Sequence, residues 1–165
     1  MAVPVTFDAN TEYAPAFAGM IADAMFTDKV TVPCGTSPQP FGTVVASVTA
    51  TGVSALPIGT NQIEGVAIHE QQTGSKHGTS GDTYTQYDAI SVMRRGRIWA
   101  RASGACTKDA VAKYDPASGL FADAGTGTMP NARFLSANLT VPAVQAGVDA
   151  SHQVVLVEIH APNVP

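Results

Sequence analysis

Residues 153–160 read Gln153-Val154-Val155-Leu156-Val157-Glu158-Ile159-His160. The stretch is apolar from Val154 to Val157 and alternates from there. Its β-branched side chains fit a pleated surface better than a helix, and Pro162 follows it. This is the clearest strand in the chain, and the segments upstream are of the same kind. Phe41 to Ala50, Glu64 to His69, Val111 to Tyr114, Gly119 to Ala122 and Asn131 to Leu139 each read as strand. Asp88 to Arg101 reads as a hairpin: Ala89-Ile90-Ser91-Val92-Met93, a turn at Arg94-Arg95-Gly96, then Arg97-Ile98-Trp99-Ala100-Arg101. Gly96 supplies the positive φ of a tight turn. In Asp115-Pro116-Ala117-Ser118-Gly119 the aspartate can hydrogen-bond the backbone, proline presets φ and glycine closes a turn. Gly125 to Pro130 reads as a loop. Short strands with turn signals between them predict a small antiparallel β-barrel or sandwich.

The first 29 residues differ from the rest and are expected to form an extended arm, with residues 30–165 as the β domain. They are rich in alanine and carry Pro4, Pro15, Phe7, Tyr13, Phe17 and Phe26. Phe17, Ile21, Ala24 and Met25 share a helical spacing, but Pro15 and Gly19 interrupt it. One or two helical turns are expected there. An apolar arm cannot bury its own aromatics, so it is expected to lie on its domain or on a partner. Gln71 to Tyr87 is polar, Gly-rich and long for a loop in a compact domain, and is expected to be mobile or ordered by a partner.

The 165 residues suit one domain of ordinary size. Charged residues are 13% of the chain and the formal net charge is −4. Affinity for a phosphate backbone needs clustered Lys and Arg, so a general nucleic-acid binder is not expected. No apolar run reaches the ~18 residues of a membrane span, and the first residues lack the basic and apolar regions of a secretory signal. The two cysteines, Cys34 and Cys106, have no zinc spacing and are expected as free thiols.

Little in the sequence points to catalysis. His69 with Glu70 and His160 with Glu158 are candidate acid–base pairs, yet each histidine ends a strand and no HxH or HExxH spacing accompanies them. Cys106 has no base nearby, and no G-x-S-x-G elbow is present. The Gly-rich stretches at 78–81 and 125–128 open no helix, as a phosphate cradle would require. The sharpest polar feature is Arg94, Arg95, Arg97 and Arg101 within eight residues. At a hairpin tip these form a basic ridge for a carboxylate-rich surface, a nucleic-acid contact with Trp99 and Tyr87 nearby for stacking, or a solvated tip whose charge blunts edge pairing. There, replacing Arg94 and Arg97 would barely move stability. Trp99 is expected in the core.

Blocks in a fixed order carry a resemblance over most of the chain. They are Ala18-Gly19-Met20-Ile21-Ala22-Asp23, Pro40-Phe41-Gly42-Thr43-Val44-Val45, Glu64-Gly65-Val66-Ala67-Ile68, residues 90–99, the block around Lys113-Tyr114-Asp115, residues 131–137 and the strand from Val154 to Ile159. In this order they resemble the structural cement, or head decoration, proteins of tailed bacteriophages. The resemblance implies a jelly-roll or β-tulip-like domain made in the host cytoplasm. It implies a virion protein that binds the outside of an assembled capsid and joins capsomers of the major capsid protein. It also implies self-association as a homodimer or homotrimer, with no catalysis, cofactor, metal, nucleic acid or membrane. The arm would lie across neighbouring subunits, so Phe7, Tyr13, Phe17, Met20, Ile21, Met25 and Phe26 are candidate contacts, with Arg94, Arg95 and Arg97. Two other classes compete. A β-sandwich or OB-like module for glycan or single-stranded nucleic acid is disfavoured by a nearly base-free first half and one Trp. A small β-barrel enzyme lacks a spaced ligand set.

Overall fold

The computed structural model describes residues 16–69, 83–141 and 152–160, with the backbone alone at residues 24–26. The described residues form strands and no helix. In chain order these are β1 (Ile21–Pro33), β2 (Gln39–Pro40), β3 (Val44–Ser47), β4 (Ser54–Ala55), β5 (Gln62–Ala67), β6 (Thr83–Tyr84), β7 (Ala89–Ala102), β8 (Val111–Tyr114), β9 (Gly127–Phe134), β10 (Leu139–Val141) and β11 (His152–His160). One antiparallel sheet runs β4-β3-β5-β7-β11-β9-β8, with β1 on β7 and β10 on β11; β2 and β6 pair separately. The sheet curls into a half-barrel, so the fold is all-β as expected.

The main core fills the curl. Val44, Ile58, Met93, Ile98, Phe121, Met129, Phe134, Val157 and Ile159 pack there, and the Phe121 and Phe134 rings meet edge to face at 6.1 Å. The period-2 alternation is plain in β8, where Ala112 and Tyr114 are buried while Val111 and Lys113 face solvent. A second cluster gathers Val32, Cys34, Phe41, Val45, Tyr84, Ile90 and Val92. A third joins Ala16 and Ala18 to Val141 and Val154.

Several expectations need correction. Asp88 to Arg101 is not a hairpin: residues 89–102 are one strand. β1 pairs with it from Ala89 to Ile98, β5 at Val92 and Met93, and β11 from Arg95 to Ala102, so neither half pairs with the other. Asp28 and Lys29 oppose Arg95 and Met93, which leaves Arg94 as an extra residue in β7. Gly96 has φ 131° yet sits in unbroken register with Ile159. Next, residues 16–29 contain no helical turn; a turn at Ala18-Gly19 leads into β1 at Ile21. Third, Gly127 to Pro130 belongs to β9 rather than to a loop. A Cβ at Gly127 would lie 2.5 Å from the Tyr114 ring, so glycine serves there as a bed for that ring. Gly119 to Ala122 contributes only bridges at Phe121, and Asn131 to Leu139 is divided between the end of β9 and β10.

Trp99 is half-buried against the third cluster rather than within the main core. Trp99→Ala is therefore expected to cost about 1–2 kcal/mol, against about 3–5 kcal/mol for Phe121→Ala. Urea unfolding of both variants checks this, and equal losses would return the tryptophan to the core.

Candidate functional site

Strand register gathers the charged residues into a row across the outer face. Asp23 of β1 opposes Arg97 of β7, Arg97 opposes Glu158 of β11, and Glu158 opposes Arg133 of β9. Directly opposed residues share a face, so the four side chains lie side by side. Arg97 Nε donates to Glu158 Oε1 at 3.1 Å, and Arg133 Nη2 stands 2.8 Å from Oε2. Asp23 lies 3.9 Å from Arg97, and His160 Nε2 lies 3.5 Å from Glu158. The hydrogen bond from Arg133, and after it that from Arg97, holds the Glu158 carboxyl below its ordinary range against the opposing effect of burial. Arg95 opposes His160 one step along the strands. Together with Asp23, Gly96, Arg97, Glu158 and Ile159 they line a shallow cavity of about 130 Å³.

Arg94 is committed elsewhere. It pairs with Glu64, which also accepts from Ser47 Oγ at 2.6 Å. This polar cluster joins β7, β5 and β3 and is largely shielded from solvent. The arginines read as one ridge are thus divided: Arg94 and Arg97 each hold a carboxylate of their own chain, and Arg95 stands exposed between them.

Residues 16–20 are pinned beside this face. Gly19 N–H donates to Trp99 O at 2.7 Å, Gly19 O accepts from His69 N–H at 2.9 Å, and Trp99 N–H donates to Met20 O at 2.9 Å. Gly19 has φ +81°, and a Cβ there would lie 2.5 Å from His69 N, so no other residue fits without a shift. Phe17, partly exposed, meets the His69 ring edge-on at 5.0 Å. Among the candidate contacts, Phe17, Met20 and Ile21 thus sit on the body of the fold. Phe7 and Tyr13 lie outside the described residues, as do the side chains of Met25 and Phe26. One further feature had no signal in the sequence: a groove of about 480 Å³ lined by Pro33, Val48, Val53, Leu56 and Tyr87 among others. Tyr87 is 87% exposed and has φ 74°.

Of the candidate acid–base pairs, His160 does stand beside Glu158, while Glu70, the proposed partner of His69, lies outside the described residues. Glu158 is occupied by two guanidiniums, and the His69 ring lies between Phe17 and Phe41. Burial, with a smaller push from Asp123, raises the Cys106 thiol to about 11; burial also raises Cys34. Both thiols are free and buried. Among the described residues no three or more His, Cys, Asp or Glu gather in a way that could hold a metal ion.

Glu158→Gln is expected to cost about 1–2 kcal/mol at pH 7, since two half-exposed arginines lose their carboxylate. A depressed carboxyl pKa stabilises the fold above the unfolded value and ceases to do so as pH falls through the folded one. The gap between wild type and variant therefore closes below pH ~4, the ordinary glutamate range. Denaturant titrations at pH 7 and pH 3 check it. The paired substitution Arg94→Glu with Arg97→Glu is expected to lower stability by about 2–4 kcal/mol, contrary to the solvated-tip expectation; an unchanged melting temperature would restore that expectation.

The family model described as structural cement protein (E217 gp24/Pam3 gp6) matches residues 5–160. A chain in the structure of the capsid of Myoviridae phage XM1 is similar in fold. It superposes with a TM-score of 0.64 at 16% identity, over 97% of this chain and 98% of that one. No curated protein matches the sequence. The model match spans nearly the whole chain, from residue 5 through β11, and on that ground the chain belongs to the structural cement protein family of phages.

Proposed function

We propose that this protein binds the outer surface of an assembled phage capsid and joins neighbouring coat-protein capsomers against the pressure of packaged DNA. The observation that carries this reading is the family match over residues 5–160. That family is a structural one, associated with the capsid of the virion. The reading extends to self-association of the chain and to an arm that reaches coat protein or sister copies through Phe7 and Tyr13, with Phe17, Met20, Ile21, Met25 and Phe26 as further contacts offered from the anchored residues beyond it. Arg95, exposed and unpaired among the described residues, is the guanidinium best placed to meet a coat-protein carboxylate. The protein acts by occupancy rather than by chemistry. Many equivalent weak contacts on one shell sum to strong attachment, and a ligand that prefers the assembled shell stabilises it by mass action.

The arm is anchored well before residue 30. Ala16 and Ala18 are buried, and residues 21–29 belong to β1. Removing residues 2–26 therefore cuts into the fold, whereas removing residues 2–15 leaves every described contact in place. The test is co-sedimentation with mature shells that lack the protein, beside unassembled coat protein. Saturable binding to shells alone is expected, lost on deletion of residues 2–15 with the melting temperature unchanged. Equal binding to free subunits, or to neither, would overturn the cement reading; full binding by the truncated chain would remove the arm from it.

A further inference from the structure

The charged row on the outer face has a symmetry of its own. From β1 to β9 it runs Asp23, Arg97, Glu158, Arg133: negative, positive, negative, positive. Taken in the opposite direction, the row is its own complement. A two-fold axis parallel to the strands, between β7 and β11, reverses the order of the strands and keeps each row level with its copy. That operation sets Asp23 against Arg133 of the partner subunit and Arg97 against Glu158 of the partner subunit. Strands lie about 4.8 Å apart, so Asp23 and Arg133 stand about 14 Å from each other and both reach the surface. Their side chains are 46% and 54% exposed, while Glu158 is recessed at 10%.

The next row fits the same operation. Trp99 opposes Leu156, both half-buried on this face, with Met20 beside Trp99. Rotation sets Trp99 over Leu156 of the partner subunit, apolar against apolar. An isologous contact needs this self-complementarity, and a closed pair built on it leaves no open end for a filament. Parallel stacking of two sheets is also an ordinary way for sheets to pack.

We propose that this face is where two copies of the chain pair, through the Asp23–Arg97–Glu158–Arg133 row and the Trp99–Leu156 row beside it. The proposal rests on the self-association included in the cement reading. It is tested in free solution, so its outcome is separate from that of the shell experiment.

Sedimentation analysis of the full chain measures the dimer constant of wild type, of Asp23→Arg and of Arg133→Asp. Each single variant sets like charges against each other at both ends of the row. Each is expected to weaken self-association by at least about tenfold. An equimolar mixture of the two variants allows a mixed dimer. At one end of its row the two introduced side chains face each other with opposite charge, and at the other end the two native ones do. The mixed dimer is therefore expected within about threefold of wild type. Far-ultraviolet circular dichroism confirms that each variant is folded. If Arg133→Asp fails to fold once its bond to Glu158 is lost, Asp23→Arg alone decides. A wild-type monomer or trimer, single variants that dimerise like wild type, or a mixture no tighter than its components would each overturn the proposal.

Discussion

A buried backbone must pair its N–H and C=O groups, and in this protein that requirement converges on β7. β1 lies against it from Ala89 to Ile98, β5 at Val92 and Met93, and β11 from Arg95 to Ala102. Beyond β1 the chain still follows it, since Trp99 exchanges hydrogen bonds with Gly19 and Met20, and Arg101 N–H donates to Gly42 O. Ile90, Val92, Met93, Ile98 and Ala100 are fully buried along its length. Much of the main sheet is arranged around this strand, since β1, β5 and β11 pair with it directly and residues 16–20 are held against it.

The same strand shows where sequence reading succeeds and where it stops. Val111 to Tyr114 and Gln153 to His160 were legible because their neighbours leave one face wet or one long apolar run dry. The turn at 115–119 was legible because its bonds are local: Asp115 accepts from Ala117 N–H and from Ser118 Oγ, and Gly119 has φ 72°. β7 was not, because Arg-Arg-Gly carries a true local turn signal. Pairing partners far away in sequence outweighed it, and sequence spacing contains no record of them. The loop read at Gly125 to Pro130 is strand from Gly127 onward for a related reason. Its glycines answer to Tyr114, a neighbour across the sheet rather than along the chain.

The candidate site was half legible. The concentration of arginines was visible, but their carboxylate partners were not, since Glu64, Glu158 and Asp23 come from three other strands. Once placed, the ridge becomes a set of internal ties. Arg133, absent from the basic cluster in sequence, completes the row. The block order that pointed to phage cement proteins survived because it records the order of elements, which local misreading of one turn does not disturb.

The two thiols bear on how long such a protein lasts. With its thiol raised to about 11, Cys106 is a thiolate in only about one molecule in ten thousand at pH 7. Disulfide exchange and oxidation proceed through the thiolate, so both reactions are slow at this position, and burial protects Cys34 in the same sense. A chain whose two thiols are kept neutral and enclosed resists oxidation at those positions and does not readily form disulfides to neighbouring copies.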